Sequence, residues 1–148
     1  MKKDTKPHLI DSTKLIDFDF SAPNFLITKQ NRVEYIRQKT QEDPDYIEPS
    51  DEKIIEEIKI RICGLLVKEY VGAKYKSGGM PRDARREWAI WQELIESETI
   101  TTQIPKFSIR WLKNLMTDPG LNISAAFAHA ESALLNYLID LENKEDVA

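Results

Sequence analysis

Between Lys74 and Ile95 the chain reads KYKSGGMPRDARREWAIWQELI, which sets five cations around a Gly-Gly-Met-Pro break. Arg82, Arg85 and Arg86 fall in the first turns of the helix that Pro81 is suited to open, since its fixed φ fits there and its missing N–H costs nothing. A helix start presents free amides and the positive end of the dipole. Arginines at this point make a place where a phosphate or carboxylate could be held. Glu93, Glu96 and Glu98 close the same segment, so its charges run against the macrodipole, and Asp83 and Glu87 offset that in part. On the next helical segment Lys106, Arg110 and Lys113 stand at i, i+4 and i+7 and share a face.

From Lys74 to Lys113 there are eight cations against five acids, in a chain whose net charge is −4. The chemistry expected of Lys74, Lys76, Arg82, Arg85, Arg86, Lys106, Arg110 and Lys113 is contact with nucleic-acid backbone or another polyanion. A competing reading pairs the arginines with the chain's own acidic connection, Glu42 to Glu57, which holds eight acids and one lysine. Both readings stay open at this level.

Other chemistries fare less well. The SGGM stretch lacks the Lys-Ser/Thr ending of a phosphate loop, so Gly78-Gly79 reads as a hinge. Trp88, Trp91 and Trp111 could stack bases, but they line up with aliphatic residues and opposite the cations, which favours core packing. Binding is then expected through phosphates, without base reading. The two histidines, His8 and His129, and the single cysteine, Cys63, are far apart, and HAE is not a zinc-binding HExxH motif. No metal and no cofactor is expected. Cys63 sits in the apolar run RICGLLV, where a thiol is expected to be buried and inert. Asp17 and Asp19 alternate with phenylalanines and are expected on a solvent face, not as a catalytic pair. The segment after Pro119-Gly120, ISAAFAHAESALL, lacks the Arg, Lys, Asn or Gln that a DNA-reading helix needs in its first turns. A non-catalytic binding or assembly subunit follows as the expectation.

The elements that would position these residues point to an all-α fold. Four or five helices are expected round a central helix at about 51–75, with a tail and extended arm over 1–30 and a helical domain over 31–148. With 148 residues, 41% of them hydrophobic and 31% charged, the chain can bury a core beneath a solvated surface. In the arm, Ile16, Phe18 and Phe20 alternate with Asp17 and Asp19, an extended pattern laid on the helical body or on a neighbouring subunit. Asn31, answered by Glu34, is expected to cap a helix to about Glu42 with Val33, Ile36 and Thr40 on one face.

Ser50 is expected to cap the central helix, whose two apolar stripes imply burial on more than one side. Residues 58–62, IKIRI, also alternate like a strand, and that alternative stays open. After Pro81, Ala84, Trp88, Trp91 and Ile95 share one side; SETITTQ reads as a polar connection. A helix from Pro105 carries Phe107, Trp111, Leu112 and Leu115 inward. Ser124 then caps a last helix in which Phe127, Ala130, Leu134, Leu138 and Leu141 repeat.

The alternative function is a regulatory protein-interaction module or homodimer, with Phe18, Phe20, Ala126, Ala133 and Leu134 at the partner interface. An acidic protein surface is a further partner for the basic face. No apolar run approaches the roughly 20 residues of a membrane span, and no apolar stretch follows the basic start that would make a signal peptide. A cytoplasmic protein without membrane contact is expected.

Overall fold

The computed structural model describes residues 14–76, 79–97 and 101–147. It is mostly helical, with five α-helices and a small two-stranded sheet. In chain order these are β1 (Leu15–Asp19), α1 (Lys29–Glu42), α2 (Asp51–Lys74), α3 (Arg82–Ser97), β2 (Thr101–Pro105), α4 (Lys106–Met116) and α5 (Ala128–Val147), with a 3-10 turn at Ala125–Phe127 before α5. Helix α2 touches each of the other four helices. Ser50 caps it by accepting from the Lys53 N–H at 3.3 Å, with Asp51 and Glu52 in its first turn against the dipole. The IKIRI alternation is helical, because those residues lie inside the continuous 24-residue helix. Ile58, Ile60, Cys63, Leu66, Val67, Tyr70 and Val71 are buried along it, whereas Leu65 is 46% exposed. Gly64 allows α3 to approach, since a Cβ there would meet Ile95 Cγ2 at 3.1 Å.

The arm is not free. Residues of β1 pair antiparallel with β2, Ile16 opposite Ile104 and Phe18 opposite Thr102. The ladder runs on into α4, whose first amide, Lys106 N–H, donates to the Lys14 carbonyl at 2.8 Å. The stretch expected as a polar connection thus contains the missing partner strand. Its five residues carry one inward apolar side chain, Ile104, too little to stand out as a period-two pattern. Pairing in this register turns Ile16 and Phe18 inward, and Phe20 follows them at 0% exposure. Phe18 meets Phe20 edge-on at 4.9 Å and Trp91 edge-on at 5.0 Å, and it meets Tyr137 at 5.4 Å. The Tyr137 hydroxyl accepts from the Asp19 N–H at 3.1 Å, which ties β1 to α5.

Three further details differ from the sequence reading. The cap of helix α1 lies three residues earlier than expected. Thr28 is its cap, and Asn31 is the answering residue of the capping box, its Oδ1 accepting from the Thr28 N–H at 3.0 Å. The buried residue of α1 is Tyr35, while Val33 is 52% exposed. Tyr35 joins Ile27, Ile54 and Ile58 in a smaller cluster, which Phe25 and Ile62 connect to the main one. Ser124 caps the 3-10 turn, with its Oγ accepting from Ala126 N–H, and α5 begins four residues later.

Phe18, Phe20 and Leu134, expected at a partner interface, are instead fully buried in this chain's own core. Strand pairing turns the two phenylalanines onto Trp91, and Leu134 lies with Ala130 and Leu138 on the inward stripe of α5. Ala126 is exposed in the 3-10 turn and Ala133 is half-buried. Removing the Phe18 ring should therefore act on stability within one chain. Phe18→Ala is expected to cost about 3–5 kcal/mol, against about 1 kcal/mol for the exposed cap variant Thr28→Ala. Urea unfolding followed by tryptophan fluorescence measures both, and equal losses would show that the Phe18 ring does not act as a core side chain.

Candidate anion-binding surface

The expected set of eight cations divides by what each side chain already holds. Arg82, Arg85 and Arg86 are exposed on the first turn and a half of α3. Helix α3 opens as Pro81 allows, its carbonyl accepting from the Arg85 N–H at 2.9 Å. None of the three guanidinium groups makes a salt bridge or hydrogen bond among the described residues. Asp83 is the one acid in that first turn, and no basic residue occupies the last. Lys76 is likewise exposed and without an ion pair among the described residues.

The acidic connection does not reach these arginines. Three of its acids have partners on α1 and α2: Glu57 accepts from the Tyr35 hydroxyl at 2.7 Å, Glu42 lies 3.9 Å from Arg61, and Glu56 lies 3.9 Å from Lys53. Burial, then the Glu57 contact, pushes the Tyr35 hydroxyl well above its ordinary range. Lys74 is paired with Asp118 at 2.9 Å, joining the end of α2 to the turn after α4. Gly78, half of the expected hinge, lies outside the described residues.

The second basic stripe is not the exposed face that its spacing suggests. Lys106 is only 3% exposed, because it stands one turn before Ile109 on the inward side of α4. Arg110 and Lys113 converge on one carboxylate, Glu142 of α5, Arg110 Nε donating to Oε2 at 2.7 Å and Lys113 Nζ donating to Oε1. Glu142 follows Ala130, Leu134 and Leu138 at four-residue steps, so it continues the inward stripe of α5 and is buried with it. Burial alone would raise its carboxyl, but the hydrogen bonds from Lys113 and Arg110 outweigh burial and leave it below the ordinary value.

The inner face of α3 also lies one residue away from where periodicity puts it. The buried residues are Ala84, Glu87, Trp91 and Leu94; Trp88 and Ile95 are half-buried. Glu87, which the sequence presents as a surface charge near the helix start, is 7% exposed and accepts from the Ser108 hydroxyl at 2.7 Å. Its place three residues after Ala84 and four before Trp91 is the signal that could have found it. The carboxylate sits at the first turn of α4, where the dipole favours negative charge. Burial raises its carboxyl above the ordinary value, and the Ser108 bond and the charge of Arg86 only partly oppose this. Trp111 and Phe107, expected inward, are half-buried and border a cleft beside it with Asp83 and Arg86.

Cys63 is fully buried, and burial pushes its thiol up to about 12. No group of three or more His, Cys, Asp or Glu that could hold a metal ion occurs among the described residues. No helix among them is long and apolar enough to cross a membrane. No family model, curated protein or solved structure matches the chain.

The Glu142 cluster carries a pH signature. A carboxyl lowered on folding adds stability that is fully present above its ordinary value of 4.5 and is lost as pH falls through the lower folded value. Glu142→Gln should therefore cost about 2 kcal/mol at pH 7, with the gap to wild type closing as the pH falls below 4.5. Urea midpoints across that range test it; a gap that persists unchanged in acid would exclude ion pairing as its source.

Proposed function

We propose that the chain is a non-catalytic binding subunit that holds a polyanion, nucleic-acid backbone above all, on the arginine face at the start of α3. The observation that carries this reading is the contrast among its cations. Arg110, Lys113 and Lys74 already have carboxylate partners within the chain, whereas Arg82, Arg85 and Arg86 are exposed with none among the described residues. Three like charges at the positive end of a helix repel one another and the dipole, each at a cost of about 0.3–1 kcal/mol. An anion placed there relieves both.

Relative to the eight cations first singled out, the surface narrows to the start of α3, Lys76 being the other exposed cation of the set with no ion pair among the described residues. Lys106 contributes nothing at the surface, and the Arg110–Lys113 pair reaches an incoming phosphate with Glu142 already attached. A chain of net charge −4 would still approach a polyanion through this patch, because the interaction is local and screened within about 8–10 Å. The alternative of a partner interface through the arm has lost its principal side chains to the core.

Replacing Arg82, Arg85 and Arg86 together with Ala should weaken binding of a labelled oligonucleotide and flatten the plot of log affinity against log salt by roughly 2–3 units. Arg110→Ala, measured in the same way by fluorescence anisotropy, should change the slope by well under one unit. If the triple variant binds with the wild-type slope, the arginine face is not the contact.

A further inference from the structure

Between α3 and α4, directly beside the unpaired arginines, lies a cleft of about 330 Å³ bordered by Asp83, Arg86, Glu87, Phe107 and Trp111. We propose that this cleft seats one unpaired base of a single-stranded nucleic acid whose phosphates lie on Arg82, Arg85 and Arg86. The inference rests on the polyanion reading above and names the ligand for it.

Three features of the cleft select this occupant. The first is its wall. Phe107 and Trp111 stand at i and i+4 on α4, so their rings lie one above the other on the same side of the helix. Both are half-buried, whereas Trp91 is fully buried, so part of each ring remains open to the cleft. Flat aromatic surface next to a guanidinium is what a base stacks on, and a phosphate or sulfate alone has no use for it.

The second is the carboxylate of Glu87. Its Oε1 is taken by the Ser108 hydroxyl at 2.7 Å, and its Oε2 is bonded by none of the described residues. A nearly buried acceptor of this kind suits the ring N–H or exocyclic amino group on the edge of a base. Toward a bare inorganic anion it would be repulsive.

The third is the sign of the rim. An aromatic wall with a carboxylate also suits a lysine or arginine side chain, through cation–π contact. Asp83 shares the rim with Arg86, but such a cation would still have to come close to Arg86. Arg82 and Arg85 stand in the same first turn and a half of α3, and none of the three is neutralised by an ion pair among the described residues. A strand that is anionic along its backbone and flat and hydrogen-bonding at its bases meets both requirements. The cleft volume lies at the small end of ligand pockets, room for one base and not for a pair. A duplex keeps its base faces stacked and cannot offer one.

The test compares three labelled oligonucleotides of equal length with wild-type protein: a mixed-sequence single strand, the same strand made fully abasic, and the duplex. The base-bearing strand should bind roughly tenfold more tightly than the abasic one. Trp111→Leu should abolish that difference and leave abasic binding unchanged, while Arg82→Ala should weaken both strands alike. Equal affinities of base-bearing and abasic strands for the wild-type protein would overturn the base cleft and leave the arginine surface standing; this comparison holds even if the Trp111 variant does not fold. Failure of every oligonucleotide to bind would overturn both readings. Tighter binding of a lysine- and arginine-rich peptide than of any strand would assign the cleft to a cationic protein segment and overturn the proposal.

Discussion

Trp91 is shared by elements from both ends of the chain. Its ring is fully buried, with Phe18 edge-on at 5.0 Å and Phe20 tilted at 6.1 Å. Phe18 in turn reaches Tyr137 of α5, whose hydroxyl accepts from the backbone of β1. The aromatic node thus fixes the rotation of α3 about its own axis. With Trp91 turned in, Ala84, Glu87 and Leu94 turn in with it, and Arg82, Arg85 and Arg86 turn out. Aromatic pairs of this geometry add roughly 0.5–1.5 kcal/mol each beyond their buried area. Their larger effect is directional: the charge pattern of the surface follows from which way one tryptophan faces.

The same rotation explains how much was legible in the sequence. Helix α2 could be read from Ser50, its acidic first turn and two long apolar stripes, because 24 residues average out local ambiguity. Helix α3 has 16 residues, and its tryptophans at 88 and 91 suggest a face centred between them. The true face is centred nearer Glu87 and Trp91, since strand β1 supplies partners on that side. Nothing local to α3 announces those partners. Strand β2 escapes a sequence reading for a related reason, as TTQIP is recognisable as a strand only from the register it shares with LIDFD. Lys106 and Glu142 show the limit of residue type as a guide. Each charged side chain occupies an inward position on its helix, where position prevails over the usual preference for water.

Charge in this chain is therefore sorted by geometry. Cations on α4 lie close enough to α5 to share a buried carboxylate, which lowers the cost of their partial burial and joins the two helices. Glu42, Glu56 and Glu57, at the two ends of the acidic stretch, are engaged close by, with Tyr35 additionally under Arg61 at 5.2 Å and Lys39 at 5.5 Å. Where α3 begins, three exposed arginines stand together without an ion pair among the described residues. A net negative chain can in this way keep one compact surface positive without any global attraction to anions.

The pairing of β1 with β2 has a consequence for the making of the protein as well as for its shape. Asp17 and Gln103, which face each other across the ladder, are 86 residues apart in sequence, and Asp19 and Tyr137 are 118 apart. During synthesis at about 5–20 residues per second, β1 waits on the order of 4–17 s for the strand that covers it. Through that interval Phe18 and Phe20 have neither Trp91 in its folded setting nor Tyr137 to receive them. The helices between can form by local contacts, but the aromatic node closes last, when α5 has left the ribosome. The nascent chain consequently carries an open, phenylalanine-bearing strand edge until β2 and α5 have been made, an edge of the kind that other chains can pair with.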